Sequence, residues 1–473
     1  MFESALTAFS SLAVLGFAGY AYHKYYKYLV LQKIERAFMP GDPILDLAAF
    51  GRQGSRSMVE DEDGHWVARN EQAKIDGIID GTERGHYYLL VGEKGTGKSS
   101  MLIDSMNKVA GLGVSMFEAH ADLEIFRIRL GKALDFEFHE DYIGSLFSIR
   151  GPRDTTALLD IERALNRLEK VALKHRRKHG RPLVLIINSM HLLRDDEDGR
   201  DLLELIQQRA EQWAASSLVT FIFNSDDYWV YERLKQYATR MEIIPVLDLP
   251  KEQALFALKK YRAKYFKEEP TPEIIENVYN KVGGRVSFLN RVAKCQDMMD
   301  ACAQIHETEK KWFLNQCWIL GEGMDDDVMD QQKYAATAMV LARALVEKEK
   351  EMGGTFDPKE GHVLPQIPLH EARYIMTRAD FIQKYDHINV FTIDSKAMVR
   401  ADSVPMQNAF REICGQEGFE ELLQATLDRI AAIESLGRTR ELVAKDLWDH
   451  GKYSMTVRNP KGGIERSVTL EAG

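Results

Sequence analysis

Cysteine is scarce in this chain: four in 473 residues, at positions 295, 302, 317 and 414. None forms a CxxC pair and none has zinc-ligand spacing, which sets aside a zinc site and a dithiol redox centre. Cys295 and Cys302, seven apart on a helical stretch, read as buried thiols in a reducing compartment. Excess positive charge is also missing. The formal net charge of −10 argues against broad attraction to polyanionic nucleic acid. No internal repeat, low-complexity tract or Ser-His-Asp set stands out. What remains is 45% hydrophobic and 28% charged, the composition of a folded chain with large cores, long enough for about two to four domains.

Charge is absent from one stretch in particular. Ser4 to Tyr22, SALTAFSSLAVLGFAGYAY, holds none, and as a helix it would span about 28 Å, close to a bilayer's hydrocarbon core. Tyr20, Tyr22, Tyr25, Tyr26 and Tyr28 cluster at its border, followed by Lys24, Lys27, Lys33 and Arg36. Tyrosines at headgroup level and basic residues on the retained side predict a membrane anchor through residues 4–22, with the rest of the chain on the cytosolic or matrix side. The basic residues follow the apolar run, so a cleaved secretory signal fits poorly.

The strongest pattern is HYYLLVGEKGTGKSSMLIDSMNKVA. A short apolar strand, Tyr87 to Val91, precedes GEKGTGKS, and a helical pattern from Met101 to Ala110 follows. Gly92, Glu93, Lys94, Gly95, Thr96, Gly97, Lys98, Ser99 and Ser100 form the expected ATP-binding set. Gly95 and Gly97 let successive N–H groups turn toward one phosphate, and the helix adds its positive end. Lys98 is expected on the β- and γ-phosphates, and Ser99 on magnesium. Alternating strands and helices continue as a parallel sheet requires. Strands are predicted over Val114 to Glu118, Pro182 to Asn188, up to Asn224, and through MEIIPVLDL. Helices are predicted over about 121–133, 155–178, 200–215 and 229–238, with an irregular stretch at 134–155.

This order of parts resembles the AAA+ and STAND branches of the P-loop ATPases, above all their origin-recognition-complex-like members. VARNEQAKIDGIID, Val67 to Asp80, is similar to their adenine-side segment. Asn224 stands where their polar sensor follows the fourth strand, and LDLPKEQALFAL opens a helical lid near Pro250. The Gly-Gly-Arg of KVGGRVSFLNRVAK resembles the lid's second sensor, which implies Arg285 near the γ-phosphate. Arg240 matches the position of an arginine finger, which implies a neighbouring copy in a homo-oligomer. In those families the third strand ends in Asp, often followed by Glu; here Asn188 and Ser189 stand there. Asn188 can accept a hydrogen bond beside magnesium but brings no charge, and Ser189 cannot act as a base near neutral pH. Asp195 and Asp196 lie too far past the strand. General-base loss costs about 10²–10⁴ in rate, whereas the backbone cradle and Lys98 remain, so ATP binding with slow or absent hydrolysis is expected.

Beyond the lid, GEGMDDDVMD reads as a linker and Tyr334 to Lys350 as a helix. Two helical pieces and a hairpin around Asp394, Ser395 and Lys396 then suggest a winged helix. This layout resembles fungal AAA proteins with a C-terminal winged helix. The lid also resembles, locally, the fungal mitochondrial escape protein family, which implies the mitochondrial inner membrane with the NTPase in the matrix, the cytosolic face of another membrane being the alternative. Between Leu369 and Glu420 six Lys/Arg face eight Asp/Glu, so the winged helix is expected to meet a protein partner rather than DNA.

The expected chain thus has an anchor and juxtamembrane helix over 1–40, an α/β P-loop NTPase domain over 41–249, a helical lid over 250–323 and a winged-helix-like α+β domain over 324–473. It would act as an ATP- and Mg2+-binding switch or scaffold. The alternatives are an active oligomeric remodelling ATPase and a membrane tether for nucleic acid.

Overall fold

Five apolar runs become the strands of one parallel sheet: β1 (Tyr87–Val91), β2 (Val114–Glu118), β3 (Leu183–Asn188), β4 (Val219–Ser225) and β5 (Met241–Pro245), in the order β2-β3-β4-β1-β5. The computed structural model describes residues 2–41, 45, 69–138, 156–321, 328–354, 356–357, 361–448, 452–458 and 464–471. Most of the expected irregular stretch at 134–155 and of the linker at 321–330 lies outside these residues.

The sheet is covered on both faces, which is why LVLII in β3 is a continuous apolar run rather than an alternating one. Leu183, Leu185 and Ile187 enter one core, Val184 and Ile186 the other. The first core is closed by α1 (Phe2–Ala37), α4 (Leu123–Ala133), α5 (Ala157–His179), α6 (Glu197–Ser216) and α7 (Tyr228–Lys235). The second is closed by α2 (Gln72–Ile79) and α3 (Lys98–Lys108). Helix starts follow local chemistry: the Asp122, Thr156 and Asp196 side chains accept from the first free N–H groups of α4, α5 and α6.

The expected membrane anchor is overturned: among the described residues no helix is long and apolar enough to cross a membrane. Ser, Thr, Gly and Tyr dilute residues 4–22, and α1 continues without a break to Ala37. Its second half docks on the NTPase domain rather than beside lipid. Val30, Ile34 and Phe38, four residues apart, are buried against α5, Glu35 pairs with Lys174 at 2.6 Å, and the Phe38 carbonyl accepts from Gly113 N at 2.8 Å. The mitochondrial inner-membrane location, and that on another membrane's cytosolic face, fall with the anchor.

Four helices, α8 (Lys251–Phe266), α9 (Pro272–Val282), α10 (Val286–Lys294) and α11 (Met298–Cys317), form the lid around Leu258, Ile275, Leu289 and Ile305. The last core is built from α12 (Met329–Met352), α13 (Leu369–Met376), α14 (Ile382–His387) and α15 (Val404–Cys414). Between Met352 and Leu369 the chain makes a two-stranded pair, β6 (Phe356–Asp357) with β7 (Gly361–His362), and then β8 (Ile367–Pro368). A three-stranded antiparallel sheet, β8 with β9 (Phe391–Ile393) and β10 (Met398–Ala401), completes a winged helix whose wing turns at Asp394 to Ala397. Helix α16 (Phe419–Trp448) and the hairpin of β11 (Lys452–Arg458) and β12 (Ile464–Glu471) end the chain. Tyr228, from α7, is buried in the winged-helix core, so the two domains share apolar packing beside the end of β4.

Candidate nucleotide site

The loop between β1 and α3 needs two backbone turns that side chains resist. Gly95 (φ +85°) and Gly97 (φ +101°) provide them, and a Cβ at Gly95 would collide with the Ser287 hydroxyl of the lid. The lid is therefore seated directly on the loop, with Ser287 N donating to the Gly95 carbonyl at 3.1 Å.

Lys98 folds back into its own loop. Its Nζ donates to the carbonyls of Gly92 (2.7 Å) and Glu93 (2.9 Å) and pairs with Asp226 Oδ1 at 2.7 Å. Ser99 Oγ donates to Asn188 Oδ1 at 3.0 Å, and Asn224 Nδ2 donates to both Ser99 Oγ (3.1 Å) and Asn188 Oδ1. These three sit where strands β3 and β4 end beside the first turn of α3. Asn224 Oδ1 is buried with no partner. Thr96 is buried and bonds the Glu93 carbonyl through Oγ1 at 3.0 Å; Lys94 and Ser100 are exposed.

Arg285 precedes α10 and reaches the loop, but other groups hold it. It donates to Asp248 Oδ1 (2.9 Å), Asp402 Oδ2 (2.7 Å), the Asp402 carbonyl (2.5 Å) and the Lys94 carbonyl (3.3 Å). Burial works against its charge, yet Asp248, Asp402 and Glu93 outweigh that and hold the guanidinium protonated. Arg240 is elsewhere. It is exposed at the opposite end of the sheet, a strand length of about 16 Å from the loop. Its backbone N–H is held by Glu211 at 3.1 Å. Arg240 therefore does not join the site of its own chain.

Several residues at the site carried no signal in the sequence. Arg400 of β10 pairs with the loop's Glu93, both buried. Asp402 joins Arg285 to the wing and accepts from Thr392 at 3.3 Å. Asp227, next to the Lys98 partner Asp226, pairs with His387 of α14 at 2.7 Å. Asp386 is buried beside it and accepts from Tyr228 N (2.7 Å) and Ile393 N (3.2 Å); burial, then Asp227, push its pKa well up. Its hydrogen bond to Asp227 raises the pKa of His387. Arg69, in the adenine-side segment, donates to the carbonyls of Thr96 (2.7 Å) and Leu247 (2.9 Å). The pairs that join the loop to the segment before β1, to the lid and to the winged helix lie from 27 to 307 residues apart along the chain, so periodicity and spacing could not find them.

Helix α14, the segment a DNA-binding winged helix would insert in a groove, faces the NTPase domain instead. Gln383 bonds Glu232 at 2.8 Å, and His387 is tied to Asp227.

The residues present fit a magnesium nucleotide. The two left-handed glycines shape an anion cradle, Lys98 is positioned to answer phosphate, and an orphaned carboxamide oxygen on Asn224 adjoins the Ser99 hydroxyl. Magnesium there would be held by Ser99 with Asn188 behind it, and would screen phosphate charge.

Two family models match parts of the chain. Residues 65–222 match the AAA ATPase domain, and residues 315–434 match the C-terminal winged helix domain of the fungal AAA proteins. No curated protein matches the chain. Among solved structures, a Walker-type ATPase of Pyrococcus abyssi is similar at 14% identity and TM-score 0.48, over 76% of this chain and 99% of that one. The Orc1 protein of Aeropyrum pernix, solved in complex with DNA, is similar at 14% identity and TM-score 0.37, over 73% and 93%. The replication initiator DnaA, bound to AMPPCP and single-stranded DNA, is similar at 12% identity and TM-score 0.34, over 77% and 96%. The chain carries an AAA ATPase domain, a P-loop NTPase-like parallel sheet, followed by the winged helix domain of fungal AAA proteins.

Proposed function

We propose that this chain binds ATP with magnesium in the phosphate loop and works as a nucleotide-dependent switch, with hydrolysis slow or absent. The observation that carries this reading is Arg285, a lid residue shared between the loop carbonyl of Lys94 and Asp402 of the winged helix. Phosphate would compete with Asp402 for Arg285 and with Asp226 for Lys98. A triphosphate that gains these two cations therefore favours an arrangement in which the winged-helix contact is relaxed. That differential affinity is what a switch requires.

The absence of a carboxylate at the end of β3 supports slow chemistry. Asn188 and Asn224 satisfy Ser99 without charge, and Ser189 takes a left-handed backbone conformation at φ +56°. The exposure of Arg240, at the far end of the sheet, supports a second reading in which copies assemble and Arg240 enters a neighbour's site. Sedimentation with and without ATP separates the two.

The test is calorimetry with an ATP analogue and magnesium on the full chain, together with hydrogen exchange over residues 391–414. Binding is expected, weakened about 10–100-fold by Lys98→Ala. Exchange in the wing should rise when nucleotide binds. A chain that takes up no triphosphate, or a wing whose exchange ignores it, ends this reading.

A further inference from the structure

We propose that Asp226 is the general base of whatever hydrolysis this site performs, standing in for the carboxylate that β3 lacks. The inference rests on ATP binding in the phosphate loop as proposed above.

The carboxylates near the loop can be sorted by what holds them. Glu93 is tied to Arg400, and Asp248 and Asp402 to Arg285. Asp227 is tied to His387, and Asp195 to Arg200 and Arg233. Asp196 caps α6. Glu309, its pKa raised to about 6 by burial and Asp402, belongs to the Arg285 side. Among the described residues, Asp226 alone is paired with Lys98, the cation that a bound nucleotide would draw away.

Its geometry suits the task. Oδ1 is 2.7 Å from Lys98 Nζ, so it lies within one water's reach of where that ammonium meets a terminal phosphate. Oδ2 faces the ring of His191, whose Nε2 is 3.8 Å away, beyond hydrogen-bond length. The Asp226 backbone N–H donates to His191 Nδ1 at 3.3 Å, which leaves the proton of a neutral ring on Nε2, the nitrogen nearer Oδ2. When Lys98 moves onto phosphate, Oδ1 loses its partner while Oδ2 keeps its neighbour. The freed oxygen takes a proton from water as the water oxygen bonds to the terminal phosphorus. The bond from that phosphorus to the bridging oxygen breaks, ADP leaves with the electron pair, and the proton then passes from Asp226 to solvent.

The experiment compares the full wild-type chain with Asp226→Asn and Asp226→Glu, each with ATP and magnesium, by calorimetry and phosphate release. Asp226→Asn should bind ATP as tightly as the wild type or tighter, because a neutral amide competes less for Lys98. Its turnover should fall by about tenfold or more, and Asp226→Glu should recover part of the rate. That pattern supports the proposal. A smaller fall, or a wild type that binds ATP yet releases no phosphate, overturns it while leaving the switch intact. A wild type that binds no ATP overturns both, and the calorimetric arm reports this separately.

Discussion

Strands β3 and β4 lie side by side in one sheet and end in opposite chemistry. Strand β3 ends in Asn188, with Ser189 after it, and the Asn188 amide bonds Ser99 and Asn224 within the NTPase domain. Strand β4 runs through Asn224 and Ser225 into Asp226 and Asp227, one carboxylate on the lysine of the phosphate loop, the other on the winged helix. On the proposal above, the acid of this site stands one strand over, beyond β4 rather than β3. The move also changes what the acid is coupled to: a carboxylate at the end of β3 would answer only to magnesium and water, whereas the β4 pair connects the loop to a second domain.

The largest effect should come from making the two strand ends alike. Asn188→Asp with Ser189→Glu puts charge back beside Ser99, and phosphate release should rise by about 10²-fold or more, measured under saturating ATP. No rise would mean that the neutral strand end is not what slows the chemistry. Next comes Arg285→Ala, which leaves Asp248 and Asp402 facing one another without their buried cation. A loss of about 3–5 kcal/mol in denaturant unfolding is expected. A loss under 1 kcal/mol would show that the wing is not anchored through this pair.

The smallest effect concerns pH. The folded-state pKa of His387 is raised by its hydrogen bond to Asp227, and that of Asp386 is raised by burial and by Asp227. A raised histidine pKa adds stability that is complete below the unfolded value of about 6.5 and is lost as pH climbs through the folded one. A buried acid whose folded pKa is raised has the same sign, its cost growing as pH rises from the unfolded value toward the folded one. The contact between β4 and the winged helix should therefore tighten from pH 8 to pH 6, read as a higher protection factor for Tyr228 N–H, its exchange rate taken relative to the intrinsic rate at each pH. His387→Asn should flatten that slope, and an unchanged slope would put the titration elsewhere.

Local pattern carried much of this fold. The apolar run of β1, the glycines of the loop and the helical spacing after Lys98 are contiguous, so each constrains the next within one turn of chain. The β9–β10 hairpin was readable for the same reason, from strand-forming residues flanking Asp394 to Lys396. The membrane reading of residues 4–22 failed because Ser, Thr and Gly leave that run too little apolar to span, in spite of its tyrosine border and the basic residues after it. Whether such a helix meets lipid or protein depends on its surroundings, and Val30, Ile34 and Phe38 dock its continuation on α5. Nothing in the sequence joins Asp226 to Lys98, because the two meet only through the neighbouring strand β4.

From the sequence alone came the phosphate loop, the parallel α/β sheet around it and the wing, because each is signalled by short runs of consecutive residues with a backbone requirement of their own. The tertiary structure alone decided which charges meet. Arg400 reaches Glu93 across 307 residues, Arg285 reaches Asp402 across 117, and Asp226 reaches Lys98 from another strand. Such pairs form only once the sheet has brought its strand ends together and the lid and winged helix have closed over them, since burial of the whole assembly is what obliges each charge to find its counterpart.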